Sequence, residues 1–134
     1  MAVTEQQAAI ERTRRGYEAF DNGDVDTVLQ LFAEDIKWHV GGQSKYAGDY
    51  DGRDAVFGFF GRLMQDGLQQ KHKIHDILAS DDHVVVLAKV TITYKGQTIT
   101  SQAADIHHEN EAGQTTEFWR FAADQKAFDE LVSS

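Results

Sequence analysis

At 134 residues and a formal net charge of −9, the chain has the size of one domain able to bury a core without staples. It contains no cysteine, which excludes disulfides and thiolate metal sites, and no apolar run approaches the ~18 residues of a membrane span. The acidic balance argues against nucleic acid, whose binders need a basic face to displace counterions, and against anionic membrane surfaces. The first residues lack the apolar stretch of a signal peptide, so the expectation is a single cytoplasmic domain spanning 1–134, with no membrane partner.

Thr4 and Gln7 form a candidate capping box, and Ile10, Thr13, Tyr17 and Phe20 recur at helical spacing. A first helix from about Thr4 to Phe20 follows, stopped by Asp21, Asn22 and Gly23. Asp24 can cap a second helix with Val25, Val28, Leu29 and Phe32 as its apolar stripe. A short strand from Ile36 to Val40 puts Ile36, Trp38 and Val40 on one face and Lys37 and His39 on the other. Residues 41–51 read as a polar loop carrying Tyr46 and Tyr50. Asp51 and Gly52 open a third helix with Val56, Phe59, Phe60, Leu63 and Met64, closed at Asp66 and Gly67. Lys71 to Ala79 alternates poorly, which indicates a strand with a bulge or an edge position. Residues 83–121 form a three-stranded meander, and Asp124 can cap a last short helix with Phe128, Leu131 and Val132. Helices early and antiparallel strands late define an α+β domain, with helices on one face of a curved sheet.

The meander's register can be counted from its turns. Lys95 and Gly96 suit a two-residue hairpin, which pairs Tyr94 with Gln97 and, counting back, Val86 with Asp105 and Val84 with His107. The face formed by Val84, Val86, Ala88, Val90 and Ile92 is wholly apolar and should meet the helices, carrying Asp105 and His107 inward with it. At the second turn Gly113 supplies the left-handed residue of a three-residue hairpin closed by Asn110 and Gln114. Uninterrupted counting then sets His107 opposite Glu117, Asp105 opposite Trp119 and Ala103 opposite Phe121. This places the large apolar residues Trp119 and Phe121 inward, whereas a four-residue loop would shift the register by one, leave Trp119 outside and bury Arg120.

Asp105, His107 and Glu117 are thus expected inside a helix-covered cavity. A buried carboxyl raises its own pKa unless paired, and shifted carboxyls in clefts are acid–base candidates. The alternative is structural: His107 bonded to Glu117 across the strands and Asp105 bonded to the Trp119 indole or a water.

The segments YEAFDNGDVDTVLQLFAEDIKWHV, YDGRDAVFGFF and ADIHHENEAGQTTEFWRF together resemble the nuclear transport factor 2-like superfamily, in its SnoaL-like polyketide cyclase and ketosteroid isomerase-like branches. The resemblance implies a cone-shaped, cystatin-like fold in which a curved, mainly antiparallel sheet wraps around an apolar pocket closed by helices. The isomerases' base position corresponds to Val40, with His39 beside it, so steroid isomerisation by their route is not implied. Tyr17 falls one place from their tyrosine. Asp105 falls where they hold the aspartic acid of the oxyanion hole, and the cyclase-like enzymes use a strand aspartate as their acid–base group. The Asp-Arg-Asp set of limonene-type epoxide hydrolases is not evident.

Two readings follow. In the first, the chain is an enzyme of isomerase, cyclase or dehydratase type that moves protons on a small hydrophobic carbonyl compound without a cofactor. Asp105 is its acid–base group, His107 held by Glu117 assists, and Tyr17 orients the ligand. In the second, the same cone is a non-catalytic binding or assembly module. Trp38, Phe59, Phe60, Trp119 and Phe121 would line the pocket in either case, or simply fill the core. His107 and His108 point to opposite faces, His72, His75 and Asp76 sit on an irregular strand, and no spacing supports a metal site. The β-branched outer face of the meander, with Val85, Leu87 and Ile106, implies by the same resemblance a homodimer.

Overall fold

The computed structural model describes residues 2–133, with side chains from Glu5 onward. The elements are α1 (Ala2–Asn22), α2 (Val25–Leu31), β1 (Phe32–Val40), β2 (Gly48–Asp51), α3 (Arg53–Gln65), β3 (Gln69–Ala79), β4 (His83–Tyr94), β5 (Gln97–Glu109), β6 (Thr115–Ala122) and α4 (Gln125–Leu131). The candidate capping box on Thr4 lies outside the described side chains. Asp24 and Asp124 cap α2 and α4 as expected, accepting from the backbone N–H groups of Thr27 and Ala127. Within the loop after β1, the four residues Gly48–Asp51 add an edge strand antiparallel to β1.

The strands form one sheet in the order β2-β1-β6-β5-β4-β3. All neighbours are antiparallel except β1 and β6, which run parallel. The superfamily's curved α+β architecture is therefore what this sequence builds. On β4 every second residue from Val84 to Tyr94 is buried, and this row, with Phe59 and Leu63 of α3, Tyr46 and Leu68, forms much of the core. β3 is the other edge strand and its register shifts between Ile74 and Asp76, so the weak alternation of the sequence reflected both an edge and a bulge.

The first hairpin keeps the counted register throughout. Lys95 and Gly96 both have positive φ (50° and 80°), the signature of a two-residue turn whose twist matches the strands. Tyr94 pairs with Gln97, Val86 with Asp105 and Val84 with His107.

The second hairpin departs from expectation after a correct turn. Asn110 and Gln114 close it, and Gly113 has φ 78°. Glu109 then pairs with Thr115 but His108 with Glu117, so Thr116 is an extra residue in β6. A one-residue insertion in a strand exchanges its two faces for everything beyond it. Asp105 consequently faces Arg120, and His107 faces Phe118, while Ile106 is level with Trp119. Phe118, Arg120 and Ala122 point inward; Glu117, Trp119 and Phe121 point outward.

Candidate functional site

Between helices and sheet lies a cavity of about 190 Å³, walled by Tyr17, Phe20, Trp38, Phe60, His72, His107 and Arg120 among others. Its aromatic wall comes from β1, β6, α1 and α3. Trp38 stacks on Phe118 at 3.7 Å between ring centres, because these residues are register partners on adjacent strands. Phe60 meets both Trp38 and Phe20 edge to face.

One polar cluster sits deep in this wall. Asp105 is completely buried, and Arg120 grips it with two hydrogen bonds, Nε to Oδ1 at 2.7 Å and Nη2 to Oδ2 at 2.9 Å. Tyr17 donates its hydroxyl to Asp105 Oδ2 at 2.5 Å. Arg120 also donates from Nη1 to Gln70 Oε1 at 2.8 Å and from Nη2 to His72 Nε2 at 2.9 Å. A guanidinium can only donate, so His72 Nε2 accepts and its Nδ1–H donates to Asp21 Oδ1 at 2.7 Å. His72 is therefore neutral.

The protonation states follow. Burial pushes the Asp105 carboxyl up, but the charge and hydrogen bonds of Arg120, with the Tyr17 hydroxyl, outweigh it and hold the group below its ordinary range. Burial works against the Arg120 charge, yet Asp105 keeps it firmly protonated. Burial and the neighbouring Asp105 charge push the Tyr17 phenol well up, so it remains a donor. Burial, and then the Arg120 charge, push His72 down.

Asp105 is therefore not a carboxyl of raised pKa. It is an anion enclosed by Arg120 and Tyr17, and it does not reach the cavity wall. Its evident work is to fix those two side chains, both of which do line the cavity.

A second polar cluster occupies the next rungs of β5. His107 Nε2 lies 3.4 Å from Glu109 Oε2, long for a hydrogen bond, and Arg12 Nη2 donates to Glu109 Oε1 at 2.8 Å. Burial raises the Glu109 carboxyl, but His107 and Arg12 overcome that and keep it ionised below its usual range. His107, Glu109 and Arg12 all line the cavity.

Tyr17, Trp38, Phe59, Phe60 and His107 are thus brought to the cavity as the sequence implied. Three expected members are not. Glu117 lies on the outer face, its Oε2 2.7 Å from His39 Nε2, so the partner of His107 is Glu109 instead. Trp119 stacks on His39 outside the sheet, and Phe121 is 59% exposed. The Thr116 bulge causes all three displacements. Arg120, Gln70, Arg12 and Glu109 had not been proposed for the site, and His72 had been weighed only as a metal ligand on an irregular strand. Arg120 was discoverable from the alternative register, since Asp105 needs a cation if that register holds. Tyr46 is fully buried and bonds Asp66 through its hydroxyl at 2.7 Å, and Tyr50 donates to the Tyr46 carbonyl, so both pin the loop after β1. Among the described residues no group of three or more His, Asp or Glu is placed to hold a metal ion, and no helix is long and apolar enough to cross a membrane.

A curved sheet around an apolar cavity, with ionised groups set into its wall, defines a cone-fold domain. The comparisons then place it: residues 13–128 match the SnoaL-like domain family, and the chain belongs to that family. It is similar to Bal32a from a soil-derived mobile gene cassette, at 32% identity and TM-score 0.88, over 96% of this chain and 98% of that one. The same fold occurs in an NTF2-like protein of unknown function from Burkholderia pseudomallei (24% identity, TM-score 0.84, 94% and 98% covered). It occurs also in an LEH-like epoxide hydrolase of Mycobacterium tuberculosis (17% identity, TM-score 0.76, 95% and 91% covered). Comparison with curated proteins finds no match.

Proposed function

We propose that the chain is a cofactor-independent enzyme that moves a proton on a small hydrophobic carbonyl compound held in the cavity. The observation that carries this reading is the pairing, on one wall, of an electrophile and a base. Arg120 has five N–H donors, and four are engaged by Asp105 (two), His72 and Gln70. One Nη1–H remains for a ligand oxygen, and its charge is strongest where apolar walls exclude water. Two residues along β5 from the Arg120 partner Asp105, His107 has its Nε2 toward Glu109, leaving Nδ1 with no partner among the described residues. Consecutive inward residues of a strand are about 7 Å apart, so base and electrophile can address one small molecule together.

In this scheme His107 Nδ1 takes a proton from the carbon beside the ligand carbonyl, and the carbonyl oxygen gains the charge as an enolate held by Arg120. Returning the proton to another carbon of the conjugated system completes an isomerisation. Glu109 steadies the imidazolium, and Arg12 keeps Glu109 ionised and in place. Asp105 and Tyr17 position the guanidinium.

Deuterium exchange tests the scheme. Incubated in D2O with small cyclic ketones, the protein should catalyse α-proton exchange visible by NMR, and His107→Gln should slow it about 10²–10⁴-fold, the usual worth of a general base. Exchange that survives in His107→Gln would remove this residue from the mechanism. A second reading is favoured by the mutual hydrogen bonding of Tyr17, Asp105, Arg120, His72 and Asp21, which leaves a single Arg120 N–H to hold a ligand: a non-catalytic ligand-binding module. Tight binding of the same ketones with no exchange in the wild type would select it.

The homodimer remains a proposal. Phe121 (59% exposed) and Leu78 (49%) stand on the outer face with Val85, Leu87 and Ile106, an apolar patch suited to a second copy. Sedimentation should show a dimer that Phe121→Lys converts to monomer.

A further inference from the structure

We propose that the ligand is a single-ring compound with two oxygen functions at opposite ends, a carbonyl oxygen at Arg120 and a hydroxyl at the Arg12–Glu109–His107 cluster. This rests on the cavity being the functional site, as argued above, and names the class of compound that it takes.

Size comes first. A protein cavity of about 150 Å³ accommodates benzene. At about 190 Å³ this one has room for one substituted ring between its walls, and a fused four-ring skeleton would project beyond them. Shape agrees with size, since the walls between the polar clusters are rings: Trp38, Phe118, Phe60, Phe20 and Phe32.

The polarity of the two ends differs. The Arg120 end offers a spare donor and no free acid, which selects an acceptor oxygen. At the other end Glu109 is an anion acceptor and His107 presents a lone pair, so a carboxylate there would be repelled. Arg12 Nε is buried and has no hydrogen-bond partner. Gly113 packs closely over that atom, since a Cβ there would come within 2.7 Å of it, so the part of this cluster that a ligand meets is Glu109 and His107. A hydroxyl carries a donor, so it can donate to the Glu109 carboxylate, where a bare acceptor oxygen would find none. The two ends are set about one ring apart along β5, because the Arg120 partner Asp105 and His107 are consecutive inward residues, about 7 Å apart.

Calorimetry on the full chain at mildly acid pH tests this with four probes: para-hydroxybenzaldehyde, benzaldehyde, phenol and estradiol. The two-function ring should bind about tenfold tighter than either one-function ring, as one added hydrogen bond warrants, and estradiol should not bind. Glu109→Met, which removes the acceptor and leaves its cation Arg12 at a partly exposed position, should bring para-hydroxybenzaldehyde down to the affinity of benzaldehyde measured in the same variant. Equal affinities for the three single rings, or tight estradiol binding, would overturn the proposal. Binding selectivity is read without turnover. A protein that binds as expected but exchanges no deuterium loses only the catalytic reading; one that exchanges deuterium without the preference loses only this one.

Discussion

His72 and His39 occupy opposite faces of the same sheet and begin with the same contact. Each sets Nδ1 2.7 Å from an aspartate oxygen, Asp21 for His72 and Asp49 for His39. They part at Nε2. His72 accepts there from Arg120, whereas His39 meets Glu117 at 2.7 Å. The His72 side chain is 4% exposed and the His39 side chain 25%. Burial and then the Arg120 charge push His72 down; the bond to Asp49, with Glu117 adding to it against partial burial, pushes His39 up. One carboxylate does not determine a histidine's charge; the second partner and the solvent do. Both second partners come from β6, and the Thr116 bulge decides which of them faces in.

The strongest way to break this contrast is to insert one alanine between Phe118 and Trp119. Counting on from the His107–Phe118 pair, the extra residue brings Trp119 opposite Asp105 and turns Arg120 outward, leaving Asp105 buried with no cation. An uncompensated buried charge costs about 3–5 kcal/mol, so the variant should unfold at far lower urea than the wild type. Retention of a wild-type transition would mean that β6 had absorbed the insertion in a second bulge.

Arg120→Met isolates the inner half. It strands the Asp105 anion and should cost about 3–5 kcal/mol by denaturant titration, while the double change Asp105→Leu with Arg120→Met should recover most of that. A pair replaced entirely by apolar groups no longer carries the desolvation cost of either charge. If the double variant is no better than the single, the stability lies in the Tyr17 and His72 bonds rather than in the pair.

These two experiments also mark where the sequence could be read. Turn chemistry at Lys95-Gly96 determines the β4–β5 register without ambiguity, since only one register buries the row from Val84 to Ile92. At the second hairpin the closing pair was equally legible, yet nothing in Thr115-Thr116-Glu117 distinguishes a bulge from a regular strand. Hydrophobicity could not arbitrate either, because both faces of β6 carry an aromatic residue: Phe118 inward, Trp119 outward. The inward Arg120 looked costly by itself. It is tolerated because Asp105 awaits it, a relation between residues on different strands that periodicity cannot express. Tyr17, Trp38 and Phe60 were legible as cavity wall because helical and strand spacing suffice for them. His107 was placed correctly but given the wrong carboxylate, again through the bulge.

The mildest test separates the two histidines by pH. His72 is neutral in the fold, so below its ordinary pKa of about 6.5 the unfolded chain binds the proton more readily, and its contribution to stability falls as pH drops. His39 has the opposite sign: its raised folded pKa makes the stabilisation full below about 6.5 and lost as pH climbs through the folded value. Imidazole resonances followed by NMR should therefore titrate on opposite sides of the ordinary value. Asp49 is 70% exposed and Glu117 28%, so screening by water keeps the outer clamp small. Glu117→Gln should lower the His39 midpoint, leave the His72 midpoint unmoved, and cost under about 1 kcal/mol. A shift at His72 in that variant would show that the faces are coupled through β6, and the contrast between them would then be one network rather than two.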